Sequence, residues 1–315
     1  MGCRRGRVIA VELIEDGGAA AVEGEFFRSA EFLAAEGVTH TLVVEEGDSR
    51  AAVPVLVREI PGSDRRDAIS PYSYPGAAVS GPPIDPAGVD LGAAALVSLF
   101  VRDRLGEPPA FAGGTDRNVV LVSHPGEERK SRMSDRQQIR KNDAAGYVAS
   151  VVEGPSSSVE QRAGFLAVYT ETMRVVGAAE QYFFDAEYFD TLLASPLTWL
   201  VSVSGPEGDI AASALAVRSD GFLHYYLSGT ADAHRKKAPS KNLIVASNDL
   251  ADELGLPLNL GGGLKPGDGL EEFKRGFANR ELPWRTHELI DPAAYAELSG
   301  DREDTGFFPL YRAPA

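Results

Sequence analysis

Residues 221–244, "GFLHYYLSGTADAHRKKAPSKNLI", decide the fold. They open as an aromatic-rich strand and pass through a basic run. They then enter a helix near Pro239, a residue that suits the first helical turn. Upstream, apolar runs at 197–204 and 209–217 read as two further strands. The turns "SGPEGD" and "RSDG" join all three into an antiparallel meander. Downstream, the helix runs from about 239 to 254 and ends at Gly255, and a strand follows at 257–260. Before the meander, a strand at 147–153 precedes helices at about 158–176 and 185–194. The order strand, two helices, three strands, helix, strand, helix is not the regular alternation of a dinucleotide-binding fold.

Further towards the N-terminus, β-branched runs at 7–14, 40–45 and 53–58 predict strands, with a short helix from Ser29 to Glu36. Prolines and a glycine in "DAISPYSYPG" (67–76) predict an irregular segment. Residues 86–105 read as a long helix entered through Asp85-Pro86, and "NVVLVSH" (118–124) as a buried strand. Ser134 and Gln137 form a capping-box pattern for a basic helix that stops at Gly146.

Composition narrows the function. The 315 residues are 43% hydrophobic and 24% charged, an ordinary globular balance, and no apolar run approaches the ~20 residues of a membrane span. The N-terminus has no signal-peptide core, and its Met-Gly-Cys start lacks the Ser or Thr at position 6 that myristoylation wants, so a cytoplasmic protein is expected. The single cysteine, Cys3, excludes an internal disulfide and a cysteine zinc cluster, and His40, His124, His224, His234 and His287 show no metal-binding spacing, so no metal is expected. A net charge of −15 argues against broad coating of nucleic acid such as DNA. Two basic islands stand out against it: "RKSRMSDRQQIRK" (129–141), with six basic residues and one acid, and "HRKKAPSK" (234–241), with four basic residues and no acid. Each is either an anion-binding site or a solvated helix end.

Several stretches together carry a family resemblance. They are "RQQIRKNDAAGY" (136–147), "YTETMRVVGAAEQYFFDAEYF" (169–189), "LHYYLSGTADAHRKKAPSKNLI" (223–244), "LNLGGGLKPGDGLEEFKRGF" (258–277) and "FFPLYR" (307–312). In this order they resemble the Fem-like aminoacyl-tRNA-dependent transferases within the GNAT acyltransferase superfamily. The resemblance implies an α/β (α+β) fold of two GNAT-like subdomains, with mixed, largely antiparallel sheets flanked by helices. The subdomains would be residues 1–145, joined by the chain end at 300–315, and residues 146–299. No charged heptad insert is present, so no coiled-coil arm is expected. The implied activity is amide-bond formation on the amine of a small peptide-like or cell-wall-precursor acceptor, as in antibiotic biosynthesis. The implied partners are the 3′ end of a charged tRNA and that acceptor, with no tightly bound cofactor and aminoacyl-tRNA as co-substrate. An acyl-coenzyme A N-acyltransferase on the same fold and a non-catalytic anion-binding module are the alternatives.

The residues themselves point to a site. Asp268 and Glu271 form a capping-box pattern, so a helix starts at Asp268 and places Leu270, Phe273 and Phe277 on one stripe. Lys274 lies beside that stripe, where an ammonium must snorkel outwards or meet negative charge. The resemblance assigns Phe273-Lys274 to the oxyanion of a tetrahedral intermediate. Gly261, Gly262 and Gly263 would let backbone approach a ligand, or simply turn. Strand alternation puts Phe222, His224 and Tyr226 on one face, so Tyr226 could hold a carbonyl or amine and His224 relay a proton, or both could sit at an interface. Arg235, Lys236, Lys237 and Lys241 surround a helix N-terminus, a favourable place for tRNA phosphates or the coenzyme A pyrophosphate. The coenzyme A glycine pattern is missing there, which favours tRNA. Arg174, Tyr182 and Asp185, and Tyr72 and Tyr74 on the irregular loop, are candidates for acceptor binding.

Overall fold

The computed structural model describes residues 9–106, 108–263 and 265–314, so Cys3 lies outside the described residues. In chain order the elements are β1 (Ile9–Ile14), α1 (Ala30–Ala35), β2 (His40–Glu46), β3 (Ser49–Glu59), β4 (Arg66–Ile69), β5 (Ala78–Ser80), β6 (Leu96–Arg102), β7 (Thr115–Ser123), α2 (Met133–Ala144), β8 (Val148–Glu153), α3 (Val159–Val175), α4 (Ala186–Leu193), β9 (Thr198–Ser204), β10 (Ile210–Ser219), β11 (Phe222–Thr230), α5 (Ser240–Leu254), β12 (Leu258–Gly261), α6 (Gly269–Arg275), β13 (Arg280–Ile290) and α7 (Pro292–Ser299). Short 3-10 turns punctuate them.

The chain forms two compact units. Among the described residues, the first comprises 9–23, 27–106, 108–117 and 284–314, and the second 24–26, 118–263 and 265–283. These bounds differ from a division at 145/146 with a return at 300. α2 packs on α5 and so counts with the second unit, and the chain is back in the first by Trp284.

In the first unit the strand order is β1-β2-β3-β4-β6-β13, with β5 on β3. Among the described residues, β4 and β6 are the strands of this unit that pair in parallel, and the other pairs are antiparallel. Leu42, Val44, Val53, Val55, Leu99, Val101 and Phe111 fill its core. The chain end is tied in through Asp67, which is fully buried, accepts from Tyr311 Oη at 3.1 Å and pairs with Arg312 at 2.5 Å and Arg58 at 2.8 Å. A buried carboxylate is tolerable because it is paired this way.

One sequence expectation fails here. Residues 86–105 are not a helix: Asp85 caps a 3-10 turn, a second such turn ends at Ala95 with φ 53°, and Leu96–Arg102 is a strand. The apolar residues of "LVSLFVR" pair with β4 on one side and β13 on the other, and tertiary pairing outweighs the helical periodicity. β13 and α7 had no counterpart in the sequence reading.

In the second unit the order is β7-β12-β11-β10-β9-β8, antiparallel except for β11 and β12. The meander is present as β9, β10 and β11, and α3 is closed by a full Ser158–Gln161 capping box. α2 lacks the expected cap: it starts two residues early, after Arg132, with no side-chain cap bond. Leu243, Ile244 and Leu250 of α5 pack with Val201, Ala214, Leu258, Leu260 and Phe277 in the core of this unit.

Candidate active site

The site in the second unit begins where a sheet opens. β11 and β12 keep register only at Leu223↔Leu258 and His224↔Asn259, and beyond those pairs their ladder stops. β11 leads through a basic turn into α5, so the N-terminus of α5 lies at the end of the sheet where β12 stops. At that end Gly261 takes φ 72°, and a Cβ on Gly262 would fall 2.6 Å from the Val119 carbonyl. Only glycine lets the strand end this close to β7.

Lys274 points into this corner. Its Nζ donates to the Gly262 carbonyl at 2.8 Å. Burial pulls the ammonium down from 10.5 to about 8, and the nearby Asp268 carboxylate partly restores it. Phe273 and Phe277 meet edge-to-face at 5.6 Å, with Phe277 buried in the core and Phe273 against it. The expected stripe is incomplete, because Leu270 is 42% exposed and Glu271 is buried in its place. Glu271 turns inwards to accept from Gly267 N at 2.9 Å and from Arg275 at 2.5 Å, and the Gly267 bond is the main reason its carboxyl lies low. Asp268 caps α6 by accepting from Glu271 N at 2.8 Å.

The basic turn leads directly into the α5 N-terminus. Residues Asp232–Lys237 are a 3-10 turn that ends at Ala238 with φ 48°, and Pro239 then stands at the N-cap of α5 with no side-chain cap bond. Arg235 pairs with Asp232, whereas Lys236 and Lys237 are exposed. Lys241 is not open to a ligand in the expected way: its Nζ pairs with Asp135 of α2 at 2.8 Å. His234 anchors the turn between Asp209 (2.7 Å) and the Tyr147 hydroxyl (2.8 Å), and its bond is the main cause of the low Asp209 carboxyl.

The strand residues divide. His224 is 1% exposed, with Nε2 on the Ser219 carbonyl at 3.0 Å and Nδ1 on the Asn259 side chain at 2.9 Å. Burial pushes it down to about 4. With both nitrogens engaged and almost no exposure, its position does not suit the relay role. Tyr226 is the extra residue of a bulge, since Leu215 pairs with Leu227 and Ala216 with Tyr225. Its hydroxyl lies 3.4 Å from that of Tyr188, and Phe26 meets its ring edge-on at 6.3 Å. Tyr225 packs against the core, where burial raises its hydroxyl to about 12.

Arg174 is exposed in the last turn of α3. Tyr182 sits in a 3-10 turn and its carbonyl accepts from Tyr169 Oη at 2.8 Å. Asp185 caps α4 by accepting from Tyr188 N at 2.9 Å. In the first unit, Tyr72 is 42% exposed and Tyr74 meets Trp284 at 5.6 Å. The Trp284 indole donates to the Asp103 carbonyl, and the buried Asp103 carboxylate meets His287 Nε2 at 3.0 Å.

Sequence reasoning missed Asp103, His287, Tyr188, Asn259 and Asp135. Asn259 alone had a local signal, a polar residue inside an apolar strand ("LNLG"). The others matter through partners far away in the chain.

No family model matches the sequence, and no curated protein matches it. Among solved structures the fold recurs in FemX, with a TM-score of 0.60 and 11% identity, covering 90% of this chain and 96% of that one. This chain has the FemX fold. It is also similar to the C-terminal domain of a putative lysylphosphatidylglycerol synthetase from Agrobacterium fabrum (TM-score 0.51, 14% identity, 80% and 84% covered). A third likeness is to L-PGS from Bacillus licheniformis (TM-score 0.50, 14% identity, 77% and 80% covered).

Proposed function

We propose that the protein is an aminoacyltransferase that moves the acyl group of a charged tRNA onto the amine of a small peptide-like or cell-wall-precursor acceptor. The observation that carries this reading is the Lys274 ammonium, turned inwards onto the Gly262 carbonyl where β12 ends. An aminoacyl ester is already activated, so no covalent enzyme intermediate is needed. The acceptor nitrogen attacks the ester carbonyl and the carbonyl oxygen becomes an oxyanion. Lys274 leaves Gly262 for that oxyanion or serves both. The C–O bond to the terminal ribose then breaks, and the ribose oxygen takes the proton that the amine gives up. A cation aimed at developing charge contributes about 3 to 4 kcal/mol to such a step. The exposed Lys236 and Lys237 before the uncapped α5 N-terminus would hold phosphate at the tRNA 3′ end.

The lack of a side-chain cap on α5 also suits a compact diphosphate, so an acyl-coenzyme A donor is the second reading. Incubation with a pool of charged tRNAs and mass spectrometry of candidate acceptors separates the two. Transfer that ribonuclease abolishes supports the first. Transfer that survives ribonuclease and requires acetyl-coenzyme A overturns it.

A further inference from the structure

The basic island at 129–141 is divided by the fold into paired and unpaired cations. Arg129 is held by Asp249 and Asp252 of α5 at 2.6 and 2.5 Å, and Arg132 donates to the carbonyl and carboxylate of Glu272. These arginines join elements to one another. Lys130, Arg136, Arg140 and Lys141 have no ion-pair partner among the described residues, and all four are exposed. On α2 the buried side is marked by Asp135 and Asn142. At 100° per residue, Arg136, Arg140 and Lys141 lie on the opposite, outward side, where Gln137 and Met133 are their neighbours and no acid intervenes. The one acid near that side, Asp143, accepts from the Asn242 side chain at 2.8 Å.

The C-terminal end of α2 is locked to the basic turn. Asn142 Nδ2 donates to the Lys237 carbonyl at 2.9 Å and to Asn242 Oδ1 at 2.8 Å. These bonds hold the buried side of α2 to the basic turn and leave Arg136, Arg140 and Lys141 spaced along the outward side as one track. The helix alone is 12 residues, so it extends over roughly 18 Å. A coenzyme A gathers its phosphates into one cluster and could meet only one end of such a track. A nucleic acid strand presents phosphates all along it.

We infer that the outward face of α2, with Arg136, Arg140 and Lys141, docks the sugar–phosphate backbone of a double-stranded RNA stem. This inference rests on the proposed use of a charged tRNA and deepens it: the single-stranded end would enter the site at Lys274, and the adjoining stem would lie along α2. Contacts of this kind position the RNA and do not read its sequence.

The test uses the full chain and a stem-loop RNA that ends in a single-stranded CCA, with binding measured over a salt series. In R136Q/R140Q/K141Q the slope of log K against log salt should fall by about 2 to 3, and binding at low salt should weaken more than tenfold. R136K/R140K keeps the charges and should keep the slope. A CCA oligonucleotide without a stem should bind both proteins alike. Equal slopes for the wild type and the triple variant, with RNA binding intact, would overturn the docking face and leave the transferase reading standing. Binding of coenzyme A with no binding of either RNA would overturn both.

Discussion

His224 in β11 and Lys274 in α6 are both titratable side chains drawn into the second unit, and both have values lowered by burial. Their surroundings differ in what they leave over. His224 is 1% exposed, and each ring nitrogen already has a partner. Lys274 has three N–H donors and, among the described residues, one hydrogen bond, to a carbonyl beside the opening between β11 and β12. The first arrangement builds the strand. The second holds a charge at some expense of stability in a place where substrate charge could use it. Burial of an ionisable group is therefore no guide to function until its hydrogen-bonding capacity has been counted.

The largest effect that could break this contrast is on turnover. Lys274→Met should lower acyl transfer by about 10²- to 10³-fold while the fold persists, measured by single-turnover transfer and circular dichroism. Full activity in this variant would remove Lys274 from the chemistry. His224→Leu should do the reverse. It orphans Asn259 and the Ser219 carbonyl and should destabilise the protein by about 3 kcal/mol in urea unfolding, with transfer by the remaining folded protein near normal.

The pH dependence sharpens the contrast further. His224 drops from its ordinary 6.5 to about 4 in the fold. Its contribution is then fully present above 6.5 and is lost as the pH falls from 6.5 towards 4, because only the unfolded chain takes up the proton there. The loss should approach about 3 kcal/mol and be absent in His224→Leu. For Lys274 the charge is disfavoured by the fold below about 8, and this penalty is relieved as the pH rises from about 8 towards 10.5. Because Lys274 is only part-buried and its substitution also loses the Gly262 bond, Lys274→Met should raise stability at pH 7 by only about 1 kcal/mol, the smallest effect of the set, readable as a higher midpoint in urea. Between these in size, Gly262→Ala should destabilise by about 2 kcal/mol, since its Cβ would meet the Val119 carbonyl at 2.6 Å.

Much of the second unit was legible because its signals are local. The meander turns, Ser158–Gln161, Gly255 and Asp268 act within a few residues of themselves, and the structure honours them. The first unit was less legible. "LVSLFVR" carries both helical and strand patterns, and what settles it is pairing with β4 and with β13, which lies far along the chain. The same division runs through the site. Lys274 could be placed from its position beside Phe273 and Phe277 on one short helix. The closed environment of His224 depends on Asn259, and the diversion of Lys241 depends on Asp135. Strict alternation along β11 also gave no warning of the bulge at Tyr226, which the register of β10 imposes.

The most direct measurement is the pH–rate profile of single-turnover transfer in the wild type and Lys274→Met. The account predicts a limb that falls as the pH rises through about 8 in the wild type, as the ammonium loses its proton, and a low profile without that limb in the variant. A wild-type rate that stays level through this range, or a variant that retains the falling limb, would contradict it.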